Sequence, residues 1–495
     1  PIVQKEIIDL EKKIHLFRGG KIDDERFRSL RLARGIYGQR QEGVQMIRIK
    51  IPYGKVTSEQ LVRITKVSDE YSTGRLHITT RQDIQIHYVS LDRTPELWAK
   101  LEQDDITLRE ACGNTVRNIT ASPTSGIDPK ELFDVSPHAD AAFRYFLRNP
   151  ICQEMGRKIK MSFSNTDEDT SLAYLHDVGF IPKIVDGKRG FKVVVGGGLG
   201  AQPMLAHVAH EFLAENEVIP FIEAILRVFD RHGERNSRHK ARMKFLIQKI
   251  GFEAFMDLVK AESKALKNHS FEIPSATAWE VTPPTLVAST ESPNSEAYAT
   301  WLATNTFEQK QKGFHAVYVR ILNGNISSTT SRSLIEALTG YIGDDIRITI
   351  NQGLMLKYVP TANLAYIYSV LDAHGLAAPG ANSIANITAC PGTDTCNLAI
   401  SDSTNITSKL EAVITEEFPS LIHDSAMKIK ISGCMNACGQ HNMAHIGFQG
   451  MSMKAGKTVI PALQVLLGGG NLGDGNGRFA DKVTKVPSRR GPQAL

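Results

Sequence analysis

"MIRIKIPYGKV", residues 46–56, alternates apolar and polar side chains as a half-buried strand does and then meets Gly54. "AVYVRILNGNI", residues 316–326, repeats the pattern and meets Gly324, an offset of 270. The same offset pairs "TTRQDIQIHYV" (79–89) with "TINQGLMLKYV" (349–359), and "KIKMSFS" (158–164) with "KIKISGC" (428–434). "VGGGLG" (195–200) meets "LGGGNLG" (467–473) at 272. Strand-like segments in the same order at near-constant spacing describe a duplicated α/β unit. Between the copies, residues 268–298 are rich in Pro, Ser and Thr without periodicity, which reads as a connector. Helices are expected at 58–71, 203–230 and 240–267.

At 495 residues the chain should form two or more domains with substantial cores. Its 42% hydrophobic and 22% charged residues match an ordinary soluble globular protein. Net charge of +5 hints at anionic ligands or acidic partners without establishing nucleic-acid binding. The opening "PIVQKEIIDLEKKIHLF" has no apolar signal core, and no apolar run nears the ~20 residues that cross a bilayer. A cytoplasmic protein with no membrane and no nucleic-acid partner is therefore expected, and in such a compartment its six cysteines stay reduced.

Four of those cysteines crowd together. Cys390 and Cys396 lie in "ACPGTDTCN", Cys434 and Cys438 in "ISGCMNACGQHN". Such a set suits structural zinc or an iron-sulfur cluster, although the five intervening residues of the first pair depart from zinc habit and neither spacing fits the common bacterial ferredoxin run. Merely buried cysteines remain a further reading. The copies also differ: Cys434 falls opposite Ser164, and Cys396 and Asn397 fall closest to Arg117 and Asn118, while Arg81 falls opposite Asn351. One half keeps cations and the other thiols, so a pseudo-twofold arrangement would set them on opposite sides of a shared site.

Together "CPGTDTC", "GCMNACGQH", "TTRQDIQIH", "NTVRN" and "RKIK" resemble the sirohaem-containing sulfite and nitrite reductases, in order and over nearly the whole chain. The resemblance implies that Cys390, Cys396, Cys434 and Cys438 hold a [4Fe-4S] cluster and that Cys438 also ligates the sirohaem iron. It implies Arg81, Arg117, Lys158 and Lys160 as the pocket that binds the oxyanion and delivers protons, and Asn436, Arg109, Asn118 and Arg157 as cofactor contacts. The chemistry agrees: guanidinium groups stay charged and hold oxygens by forked contacts, ammonium groups become proton donors when desolvated, and an oxygen leaves as water only once protonated. Lys158 and Lys160 share one face of an extended strand and repel unless an anion joins them. Gly433 and Gly439 are expected to let the backbone turn tightly beside the ligands. Cys112, five residues before Arg117, and Tyr37 are candidates to approach the pocket, although Cys112 and Cys152 read first as inert buried thiols.

The resemblance further implies an α+β fold of pseudo-twofold α/β units in three lobes around the cofactor site. We expect an arm (1–40), a ferredoxin-like double lobe (41–110 with 313–378), a cationic domain (111–267), a linker (268–312) and a cluster domain (379–495). Lys-x-Lys at 158 and 160 favours six-electron reduction of sulfite to sulfide, with nitrite reduction to ammonia as the alternative, and a metal-stabilised binding protein without haem as the alternative of another class. Neither Gly-rich stretch is a convincing dinucleotide motif, so electrons should come from a separate protein. A small acidic ferredoxin suits the basic tail "DKVTKVPSRR" (481–490), with a flavoprotein as the other donor.

Overall fold

The computed structural model describes residues 2–274, 283–287, 293 and 295–495. Its fold is α+β, and the duplication is visible in the sheets. One sheet runs Ile36–Gly38, Val44–Ile49, Ile84–Ser90, Arg75–Ile78, Asn325–Ser327; its counterpart runs Thr306–Glu308, Phe314–Val319, Leu354–Pro360, Ile346–Ile348, Lys55–Val56. Each sheet thus takes its last strand from the other half. The exchange is made by the turns noted in the sequence. Tyr53 and Asn323 adopt left-handed φ of 42° and 55°, and Gly54 and Gly324 follow at 73° and 67°. A Cβ on Gly54 would meet the Ile348 carbonyl at 2.7 Å, and one on Gly324 the Ile78 carbonyl at 2.4 Å, so only glycine lets the crossing chains approach. A single apolar core, including Val56, Ile64, Ile78, Ile326, Leu334 and Ile348, runs through both exchanged sheets and fuses them into one body.

The other two sheets are also copies of one another. His207–Ala214, Lys188–Val195, Val178–Val185, Met161–Phe163, Thr120–Ala121 matches Asp481–Pro487, Thr458–Leu467, Ile446–Ala455, Ile429–Ser432, Thr388–Ala389. Here the register corrects the sequence alignment. Thr120 pairs with Ser162 and Thr388 with Lys430, an offset of 268 from Thr120 to Thr388, not 270. Lys160 is therefore the counterpart of Lys428, Ser164 of Ser432, and Cys434 falls opposite Thr166. Cys390 falls opposite Ser122: Asn165 N–H donates to the Ser122 hydroxyl as Gly433 N–H donates to Cys390 Sγ. By the same register Arg117 has Ala385, not Cys396, as its counterpart. A slip of two in a strand leaves every side chain on its original face, so hydrophobic pattern alone cannot detect it.

The helix expected at 58–71 is Ser58–Tyr71, started by a capping box between Thr57 and Gln60 and burying Leu61, Ile64, Val67 and Tyr71. Two other expectations are corrected. Residues 203–230 hold the strand His207–Ala214 before the helix Val218–His232 begins, because the first part zips onto Lys188–Val195. Residues 240–267 form two helices, Met243–Ile250 and Phe252–Lys264, broken where Gly251 takes φ 88°. The linker read at 268–312 is narrower than supposed: Glu296–Asn305 is a helix capped by Ser295 and Thr306–Glu308 is an edge strand, while 275–282, 288–292 and 294 lie outside the described residues. The arm, too, ends inside the first sheet, at Ile36–Gly38. No helix among the described residues is long and apolar enough to cross a membrane.

Candidate functional site

The duplication sets a cationic wall against a thiol wall. Arg81 sits at the hairpin between Arg75–Ile78 and Ile84–Ser90, and the neighbouring Thr80 hydroxyl donates to the Cys438 carbonyl at 2.8 Å. Arg81 is held by the Asn118 carbonyl, His176 Nε2 and, at 3.5 Å, the Thr120 hydroxyl. Asn118 is buried, and its amide donates to the carbonyls of Ile51 (2.7 Å), Arg81 (3.1 Å) and Gln82 (3.3 Å), which fixes the hairpin against the next domain. Asn118 therefore positions Arg81. Arg117 donates to the carbonyls of Gly113 (2.9 Å) and Ala111 (3.3 Å).

Lys158 and Lys160 flank Ile159, which bridges to Val116, and their ammonium groups have no hydrogen-bond or ion-pair partner among the described residues. Burial first, then Arg117 and Lys160 beside Lys158, and Arg81 and Arg242 beside Lys160, push both ammonium groups well below the ordinary lysine range. Burial and the neighbouring Arg238 and Arg242 lower Arg157 to about 10, and its Nε is buried without a partner. The wall is short of negative charge, and an incoming anion would relieve it.

This has a measurable consequence. A lysine whose pKa is depressed in the empty cleft regains its proton when an anion arrives, because the charged form is then favoured. Binding should take up protons at pH values between the depressed pKa of the free lysine and its higher pKa beside the anion, and affinity should weaken as pH rises through that range. Calorimetric titration of sulfite in buffers of different ionisation enthalpy checks this; heats independent of buffer would contradict it.

Opposite stand the cysteines. Cys390 and Cys434 are buried, Cys396 is half-buried and Cys438 is exposed. Burial, and after it the neighbouring Cys438 sulfur, raises the pKa of Cys390, Cys396 and Cys434, with Cys390 pushed up to about 12. Donors are already aimed at them: Gly433 N–H at Cys390 Sγ (3.1 Å) and the Asn436 amide at Cys434 Sγ (3.4 Å). Gly433 and Gly439 serve differently from the expectation. Neither takes a left-handed φ; that conformation belongs to Ala437 (55°) and Gln440 (65°). A Cβ on Gly439 would instead lie 1.9 Å from the Ile431 carbonyl, and one on Gly433 2.8 Å from that of Ser401. They permit close approach.

Several participants were not visible in the sequence. His176 enters the cleft from a segment that carries no motif, and Arg48 from the repeated strand 46–56, where nothing singles it out; Arg48 lies 3.9 Å from Asp83. Arg242 pairs with buried Asp177 at 2.8 Å, and Asp177 accepts from the Lys160 N–H at 2.8 Å. Arg40, at the end of the arm, donates to the Ala399 carbonyl (2.7 Å) and the Cys396 carbonyl (3.4 Å), while its N–H meets the Thr395 carbonyl (2.8 Å), clamping the first cysteine loop. Only tertiary contact identifies these. Cys112 is buried and, with Tyr37, acts electrostatically on Arg117. Cys152 is buried in the core of the cationic domain. Arg109 is placed elsewhere than expected. It pairs with Glu6 (3.5 Å) and Glu110 (3.7 Å) and donates to Gln153 (2.8 Å), so its charge is met at the interface with the arm.

Exchanged ferredoxin-like halves, a cation-rich cleft and four facing thiols define a redox enzyme for a small anion. The chain belongs to the nitrite and sulphite reductase family: residues 112–267 and 380–488 match the nitrite and sulphite reductase 4Fe-4S domain, and 37–104 and 307–374 the nitrite/sulfite reductase ferredoxin-like half domain. Its cofactors are those of the family, sirohaem and a [4Fe-4S] cluster. The chain is 30% identical to an assimilatory ferredoxin-dependent nitrite reductase of Haloferax mediterranei, over 93% of this chain and 80% of that one. It is 28% identical to sulfite reductase [ferredoxin] 1 of Mycolicibacterium paratuberculosis, over 90% and 79%. The solved structure of Mycobacterium tuberculosis NirA protein superposes with a TM-score of 0.81 at 26% identity, covering 95% of this chain and 86% of that one.

The residues fit these groups. Four thiols, two of them with N–H donors aimed at their sulfurs, suit an iron-sulfur centre, and the unpaired ammonium groups of Lys158 and Lys160 and the orphaned Arg157 Nε suit carboxylates and an oxyanion.

Proposed function

We propose that this chain reduces sulfite to sulfide with six electrons. The observation that carries the reading is the second unpartnered ammonium: Lys160 beside Lys158, both desolvated and facing Arg81 and Arg117. Sulfite presents three oxygens and more charge than nitrite, and a second cation matches it. In this reading Cys390, Cys396, Cys434 and Cys438 would hold the cluster, Cys438 would also hold the sirohaem iron, and the chemistry these groups would supply when bound is electron delivery. Arg81 and Arg117 hold the oxygens of the bound anion, Lys158 and Lys160 protonate them, and each departs as water. Arg157 and Asn436 support the cofactors. An external ferredoxin is the donor, in keeping with the donors named for the relatives and with the chain's net positive charge.

Nitrite is the second reading, favoured by the named activity of the Haloferax relative. Lys160→Asn decides between a general anion site and a sulfite-tuned one. Losing one charge-assisted contact, about 1.5–3 kcal/mol, should lower the sulfite-to-nitrite ratio of kcat/KM by roughly tenfold or more. An unchanged ratio with purified donor would refute the assignment of Lys160.

A further inference from the structure

Several arginines with little exposure are held by carboxylates: Arg34 by Asp9 (2.6 Å), Arg347 by Asp345 (2.9 Å), Arg242 by Asp177 (2.8 Å) and Arg148 by Glu6 (2.9 Å). Arg81 is not. Among the described residues no carboxylate lies within ion-pair distance of it, and all of its acceptors are neutral: the Asn118 carbonyl, the Thr120 hydroxyl and the His176 ring.

The state of that ring follows from its partners. A guanidinium has five N–H donors and no acceptor, so His176 Nε2 must be the unprotonated nitrogen that receives Arg81 Nη1. The proton then sits on Nδ1, which donates to the Leu172 carbonyl at 2.7 Å. That carbonyl is itself fixed. Leu172 takes a left-handed φ of 59°, and the loop behind it is pinned by buried Asp169, which accepts from Ser164 Oγ (2.6 Å), Ala173 N–H (2.6 Å) and Tyr174 N–H (3.4 Å). Burial and the charges of Arg81, Lys160 and Arg242 keep the imidazole from protonating.

We propose that His176 is a positioning residue that tethers Arg81 through a neutral acceptor, fixing the guanidinium in the cleft without a directly bonded carboxylate to compete with the substrate anion. The nearest carboxylates that act on it, Asp83 and Asp177, do so from beyond ion-pair distance. A carboxylate in place of His176 would orient Arg81 equally well and cancel its charge. This rests on the reading of Arg81 as an anion-binding residue and adds to it the reason that the tether is an imidazole.

The test uses the holoenzyme, with sulfite affinity read from the perturbation of the haem absorption band and steady-state kinetics measured alongside. His176→Gln keeps a neutral acceptor and should hold Kd and KM within about threefold of wild type, whereas His176→Glu should raise both by about thirtyfold or more with kcat changed far less, because the lost charge acts on binding. Iron and haem contents verify loading. If His176→Glu loads poorly, His176→Leu, which removes the tether without adding charge, should weaken binding by about tenfold. The two readings separate through Arg81→Gln. If that variant binds sulfite as tightly as wild type, Arg81 is not an anion residue. If it weakens binding while His176→Glu and His176→Leu do not, the tether is refuted and the role of Arg81 survives.

Discussion

Cys438→Ser should yield a protein that lacks both the haem absorption band and the iron and acid-labile sulfide of a cluster. Its sulfur is the exposed member of the four, it faces Lys160 and Arg48, and the Thr80 hydroxyl ties its carbonyl to the hairpin that carries Arg81. On the reading proposed here one sulfur serves two centres, so replacing it with a hard oxygen whose proton is not released near neutrality removes a ligand from each. The backbone contact with Thr80 does not depend on the side chain, so the fold around the loop should persist, and circular dichroism close to wild type would show that the loss is local. Cys152→Ser is the contrasting variant. Cys152 is buried, and burial beside Glu110 raises its thiol pKa well above the ordinary value, so it behaves as a small apolar group. Its replacement should leave both cofactors in place. A normal haem spectrum in Cys438→Ser would contradict the shared sulfur.

The second large effect is expected from Gln82→Leu. Gln82, fully buried at φ 57°, donates to the Ala121 and Ile348 carbonyls (2.9 Å each) and accepts from the Ala121 N–H (3.0 Å). One side chain thus joins the first half-sheet, the second half-sheet and the cationic domain. Gln352 is its mirror image, donating to the Ile78 carbonyl (3.1 Å) and accepting from the Ala389 N–H (2.8 Å). Leucine of similar size would leave three buried backbone groups without partners at about 1–3 kcal/mol each, so a loss of roughly 3 kcal/mol or more is expected. Because Gln82 adjoins Arg81, activity should fall further than stability alone explains. Thermal unfolding of the holoenzyme together with sulfite KM measures both; a melting temperature within a degree of wild type would show that the crossing is not held this way.

The two halves of the site were legible to different degrees. The cysteine pairs could be read from the chain because their members are close in sequence and chemically distinctive. Lys158 and Lys160 could be read as a pair because residues two apart in an extended chain share a face; in the fold they flank Ile159, which bridges to Val116 just before the strand Met161–Phe163. His176, Arg242 and Arg40 could not, since each is an ordinary residue in an ordinary segment and gains its part from what packs against it, and Arg48, although in the repeated strand 46–56, is there only one of its polar positions. Arg109 shows the converse: a basic residue near a motif whose charge is met by Glu6 and Glu110, one of them more than a hundred positions away.

What the sequence determined by itself was the duplication, the thiol set and the cationic set, since each is a repeated or clustered pattern of residue types. Tertiary structure alone decided the register of the copies and the exchange of strands. It decided as well which cations stay unpaired, because a two-residue slip preserves strand pattern and a charge is free or neutralised only by what distant segments bring beside it.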